Sequence, residues 1–103
     1  MIVIAGHLVL DPSQHEPALA AAREMMSETR KEKGCISYTF SADLEGPGRF
    51  RIFEEWESEE ALAAHFEAPH MARLQSAMGG LGVREMKVQR YEVTKVGPVR
   101  PAS

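Results

Sequence analysis

An α+β fold in the order β-α-β-β-α-β, with a four-stranded antiparallel sheet covered by helices on one face, is predicted for this 103-residue chain by three observations. The opening run, residues 2–10, is apolar on both alternating faces. Stretches of period two and of helical period then follow one another in that order, and a proline divides the second helical stretch. With 44% hydrophobic residues the chain has core material for one domain and none for a second. Residues 1–94 are read as that domain and 95–103 as a C-terminal tail.

Ile2 to Leu10 is β-branched at its start and carries one strongly polar residue, His7, as a central strand buried on both sides would. Asp11-Pro12-Ser13 breaks it, and Pro17 stands where a first helical residue belongs. Leu19, Ala22, Met26 and Thr29 then form an inward stripe flanked by Ala18 and Met25, with Gly34 as a left-handed cap. From Cys35 the period is two. Ile36, Tyr38, Phe40 and Ala42 share one face, the turn residues Asp43 to Gly48 follow, and Phe50, Ile52, Glu54 and Trp56 share a face of the next strand, which makes a hairpin.

Ser58 is a good N-cap, and Glu59 and Glu60 lie where the helix dipole favours negative charge. The helix from Ala61 to about Glu67 must be interrupted at Pro69, after which His70, Met71, Leu74 and Met78 continue a helical stripe to Gly79-Gly80. In the last strand, Val83 to Val93, the apolar set moves from Met86 and Val88 to Tyr91 and Val93, which places a bulge near Gln89 or Arg90. In the tail, Gly97, Pro98 and Pro101 leave the chain disordered or lying against a neighbour. One sheet face is left bare in this arrangement, and its expected cover is the same face of a second copy, giving a homodimer.

Composition narrows the function classes. Twelve basic residues are scattered among fifteen acidic ones for a net charge of −3, which excludes a nucleic-acid stripe. The opening apolar run ends at Asp11-Pro12, too short for a membrane span and without the basic region of a signal peptide. The single Cys35 forms no internal disulfide, no Cys/His motif offers a metal site, and a reducing cytoplasm is the expected compartment.

The segment from Phe53 to Met71 resembles the antibiotic biosynthesis monooxygenase family, in which an aromatic and a Glu-x-Trp precede a capped helix with Ala-Leu, a His, and then a Pro-His pair. Glu54, Trp56, Ala61, Leu62, His65, Pro69 and His70 fill those places. The resemblance implies a ferredoxin-like domain paired into a dimeric α/β barrel. It also implies an activity among the cofactor-independent oxygenases of quinols and anthrones, the haem-degrading enzymes or the isomerases of that family. Where the haem-degrading branch has its ligating His, this chain has Arg73, Leu74 and Gln75.

Candidate residues carry two readings each. Glu54, on an apolar strand face, either pairs with an arginine or backbone amides or handles a proton. His65 and His70, beside the Pro69 interruption, are either general bases or satisfy each other and the freed backbone groups. Trp56 and Tyr38 are either a wall for a flat substrate or core, and Met25, Met26, Met71, Met78 and Met86 are either an adaptable lining or gap-filling core. His7 faces either the partner or the pocket.

The expected function is that of a monooxygenase acting on a quinol, anthrone or similar polycyclic phenol. His65, His70 and Glu54 are its candidate catalytic residues, and Trp56, Tyr38, Phe66 and Met71 its substrate contacts. No metal, flavin or nicotinamide is expected, since glycine-rich dinucleotide loops and ligand motifs are missing from the chain. The alternative is a non-catalytic small-molecule-binding or stress-response protein of the same fold, or an isomerase. The largest pocket is expected between the sheet and the second helix, touching at least three of His65, His70, Trp56 and Glu54.

Overall fold

A computed structural model describes residues 1–100. The elements are β1 (Ile2–Leu10), α1 (His15–Thr29), β2 (Cys35–Ala42), β3 (Arg49–Trp56), α2 (Glu59–Phe66), α3 (Pro69–Met78) and β4 (Val83–Glu92). They form one antiparallel sheet in the order β2-β3-β1-β4, the ferredoxin-like arrangement, so the two-faced apolar β1 takes an interior place between β3 and β4.

The helix-facing side of the sheet carries Ile2, Ile4, Leu8 and Leu10 of β1 beside Phe50, Ile52, Glu54 and Trp56 of β3, with Ile2 opposite Trp56, Ile4 opposite Glu54 and Leu8 opposite Phe50. Gly6 interrupts this row because the backbone of β4 passes too close for a side chain. A Cβ there would sit 2.0 Å from the Lys87 carbonyl oxygen. The core divides into two clusters, one around Trp56, Tyr38, Met25 and Leu62, the other around Leu8, Leu10, Phe50 and Leu81.

Several local expectations shift. A short 3-10 turn, Pro12–Gln14, is capped by Asp11, whose Oδ1 accepts from the Ser13 amide at 3.0 Å and its hydroxyl at 2.8 Å. That turn starts α1 at His15 and leaves Pro17 inside the first helical turn, where a missing N–H costs little. The buried stripe of α1 is Ala18, Ala22, Met25 and Thr29, with Leu19 and Met26 packed at its margins. Gly34 is left-handed, with φ +86°, but it follows a turn after the helix and does not cap it. A Cβ on Gly34 would lie 2.4 Å from the Cβ of Ala61, so glycine here is what lets this turn close onto α2.

The bulge expected near Gln89 or Arg90 is elsewhere. Pairing of β4 with β1 runs unbroken from Glu85 to Glu92, and the irregularity falls between the Val9–Glu85 and Leu10–Val83 pairs, which makes Arg84 the extra residue. Tyr91 belongs to the outer face, opposite Met86 and Val88, so the change of apolar face reflects a strand with two half-covered sides. A second bulge in β2, between Cys35 and Ser37, turns Ile36 away from Tyr38 and puts Cys35 on the core side.

Pro69 does more than kink a helix. Ala68 is extended, with φ −70° and ψ 145°, the conformation that a following proline imposes, so α2 ends and α3 begins afresh with Pro69 as its first residue. Ser58 Oγ accepts from the Ala61 amide at 3.2 Å, as an N-cap should. No helix among the described residues is long and apolar enough to cross a membrane.

The outer sheet face is covered by no element of the described chain. Val3, Ala5 and Val9 lie at its centre beside Phe53 and Tyr91, which are 45% and 49% exposed. His7 is on this face, 2.8 Å from the Glu85 carboxylate, and does not reach the interior. Of the tail, 95–100 is without helix or strand, and Pro101, Ala102 and Ser103 lie outside the described residues.

Candidate active site between sheet and helices

Glu54 faces the helices because strand alternation puts it between Ile52 and Trp56. The residue is 5% exposed, and its Oε1 accepts from the Trp56 indole N–H at 2.9 Å. No cation pairs with it among the described residues. Burial therefore dominates and pushes its pKa up to about 7, with the Trp56 bond opposing and the Glu32 charge adding to the rise. The same burial, reinforced by Glu54, holds the Tyr38 phenol well above its ordinary value. Glu54 is thus a carboxyl able to take up or release a proton near neutrality.

A folded-state pKa above the unfolded one makes the folded chain bind an extra proton between about 4.5 and 7. Stability from this group is complete below that window and is lost as pH rises through it. Glu54→Gln removes the charge and keeps an acceptor for Trp56. The variant should be more stable than the parent at pH 8, by roughly 3 kcal/mol for a window of about 2.5 pH units at about 1.4 kcal/mol per unit, with the advantage vanishing toward pH 5. Urea unfolding at both pH values measures this, and a pH-independent difference would contradict it.

Between the two core clusters the helices stand off the sheet and leave a cavity of about 370 Å³. Its lining is largely aliphatic and aromatic, drawn from all four strands and all three helices. The buried polar groups on it are Glu54, His65 and Tyr38. Phe66 and Met86, both lining and half-exposed, mark the mouth on the β4 side, where Arg90 also reaches the lining and pairs with Glu59.

Of the residues singled out from sequence, Glu54, His65, Tyr38, Phe66 and Met71 line this cavity. Trp56 and His70 do not, so two of the four residues expected to share it are there. Trp56 is fully buried one layer behind, its indole 4.7 Å from the His65 ring. His70 borders a separate recess of about 40 Å³ with Glu24, Met25 and Arg73, because the break at Ala68 starts α3 in a new direction.

A residue unforeseen from sequence joins the two histidines. Glu32, on the turn after α1, has its Oε2 2.8 Å from His65 Nδ1 and 2.6 Å from His70 Nε2, and all three side chains are largely shielded. The backbone of this turn is fixed by bonds from the Glu32 amide to the Thr29 carbonyl and from the Cys35 amide to the Glu32 carbonyl. The three ligand-capable atoms lie within 4.8 Å of one another. This is the trio of described residues that could hold a metal ion, and the spacing of residues in the chain did not reveal it. In sequence Glu32 sits between Lys31 and Lys33, a run that reads as a solvated turn.

Comparison with known proteins agrees with this architecture. The protein sll1783 of Synechocystis is 29% identical over 94 residues, 91% of this chain, and the chain spans 64% of that relative's length. The probable quinol monooxygenase YgiN of Escherichia coli is 27% identical over 99 residues, covering 86% of this chain and 94% of YgiN. The crystal structure of a candidate antibiotic biosynthesis monooxygenase from Deinococcus radiodurans superposes with a TM-score of 0.89 at 27% identity, over 98% of this chain and 100% of that one. The sequence profile described as antibiotic biosynthesis monooxygenase matches residues 1–77, and the chain belongs to that family.

Proposed function

We propose that the protein is a cofactor-independent monooxygenase of a quinol, anthrone or similar hydroxyaromatic. The observation that carries this reading is the apolar cavity with two proton-handling groups, Glu54 and His65, on its wall. Its volume of about 370 Å³ falls in the range of roughly 300 to 1,000 Å³ usual for small-molecule sites. The name of the related quinol monooxygenase supports the same substrate class.

In this mechanism Tyr38, Phe66 and Met71 pack on the rings, and Trp56 acts from behind by holding Glu54. His65 or Glu54 removes a proton from the substrate. The resulting anion passes one electron to dioxygen, the two radicals combine into a peroxide anion that takes the proton back from the protonated base to give a hydroperoxide, and loss of water leaves a carbonyl. The balance is one CH2, or one aromatic CH together with a phenolic O–H of the same substrate, plus O2 giving the carbonyl product plus one water, with dioxygen the oxidant and the substrate the source of all electrons. The protein supplies proton removal and a dry cavity.

Oxygen uptake with a panel of quinols and anthrones in air tests the reading. One O2 consumed per quinone formed is expected for at least one compound, unaffected by chelators. Thermal stabilisation by these compounds with no oxygen consumed would instead establish a binding protein.

The chain is also proposed to work as a homodimer in a reducing cytoplasm. Phe53, Tyr91 and the aliphatic centre of the outer face need cover, and a second copy supplies a matching surface. Sedimentation at micromolar concentration should give twice 11.4 kDa. A monomer, or a dimer that Phe53→Glu leaves intact, would remove this part of the proposal.

A further inference from the structure

We propose that Glu32 is the positioning residue that makes Nε2 of His65 the base of the cavity, and that His70 serves the Glu32 carboxylate and not the substrate. This rests on reading His65 as a proton acceptor. A carboxylate oxygen offers only lone pairs, so each ring nitrogen bonded to Glu32 Oε2 carries the hydrogen. His65 therefore holds its proton on Nδ1. In the neutral ring Nε2 is left with a free lone pair, and no described residue bonds to it while the ring borders the cavity. The opposite tautomer would set the Nδ1 lone pair against Oε2 at 2.8 Å, acceptor against acceptor.

The arrangement also answers the cost of charge in a dry site. When Nε2 takes a proton from substrate, the imidazolium forms next to a carboxylate already bonded to Nδ1, so the new charge is paired as it arises. His70 completes this support. Glu32 meets little water, and the His70 N–H at 2.6 Å is its second donor, keeping Oε2 aimed at Nδ1. His70 faces the small recess with Glu24 and Arg73 and is absent from the substrate cavity, so it has no path to the reacting atoms.

The same three atoms could instead bind a metal, which would displace both hydrogens, and the experiment separates the two. Nitrogen-15 imidazole NMR of the whole protein should show His65 protonated at Nδ1, with the signal moved in the isosteric Glu32→Gln variant. A His65 protonated at Nε2, or one tightly bound ion per chain, overturns the proposal whatever the substrate proves to be. With a substrate in hand, Glu32→Gln should lower kcat about 100-fold with KM changed by less than about threefold, and Glu32→Asp should restore part of it. His70→Gln, which keeps an N–H donor, should retain about tenfold more kcat than His70→Leu. Unchanged kcat in Glu32→Gln overturns the assignment. If no compound in the panel is turned over, the oxygenase reading fails, and the NMR result still decides the role of Glu32.

Discussion

Trp56→Ala should destabilise the protein by about 4 kcal/mol, a large part of the total stability expected of a domain this small. Trp56 is the single tryptophan and has no exposed surface. It lies in the cluster with Ile2, Met25, Tyr38, Ile52 and Leu62, where truncation leaves a void that strands and helices together cannot close. The loss is more than volume, because the indole N–H is the hydrogen-bond donor to Glu54. Without it the carboxyl is buried with no donor, and its pKa rises further. Trp56→Phe separates the two effects: most of the volume stays while the donor goes. Its cost should grow between pH 5 and pH 8, as Glu54 ionises without a partner. Urea unfolding followed by circular dichroism is the suitable measurement, since the variants lose the natural fluorophore. A cost under about 1.5 kcal/mol for Trp56→Ala would mean that the core tolerates the loss and that Trp56 is not its centre.

What could be read from sequence was local in physical origin. The two-faced apolar run of β1 marked an interior strand, and the alternation Phe50, Ile52, Glu54, Trp56 put a carboxylate into an apolar row, where the structure has it. Pro69 divided the second helix, as its missing N–H requires. Features that depend on how distant segments meet were not legible. The bulges at Ile36 and Arg84 are settled by pairing with a neighbouring strand, and an exposed edge strand with apolar residues on both sides looks the same as a slipped one. From sequence, the two histidines, five positions apart across the break, are expected in one cavity. A new helix direction at Ala68 sends them to different ones. Glu32 lies 33 residues from His65, in a turn whose closeness to α2 depends on Gly34 having no side chain, and no local pattern reports such a meeting.

His65→Ala should lower turnover of an oxidisable quinol or anthrone by about 10² to 10⁴, the range expected when a positioned base is removed. The ring is held on three sides, by Glu32 at Nδ1, by Trp56 with ring centroids at 4.7 Å and by Tyr38 at 5.5 Å, so its geometry toward the cavity is preorganised. Truncation opens a space the size of an imidazole next to the substrate. Added imidazole should enter it and restore a measurable part of the rate, rising with the concentration of its neutral form. That rescue distinguishes a lost base from a collapsed core, since a merely unfolded variant gains nothing from imidazole. His65→Phe provides the second control: it fills the space, keeps the packing on Trp56, and should be as inactive as the alanine variant without being rescued. Glu54 is the other group on the cavity wall that could take the proton. If His65→Ala turned over substrate at the parental rate while Glu54→Gln was inactive, Glu54 would be the base, and the pairing of Glu32 with His65 would serve only to hold α2 against the turn after α1.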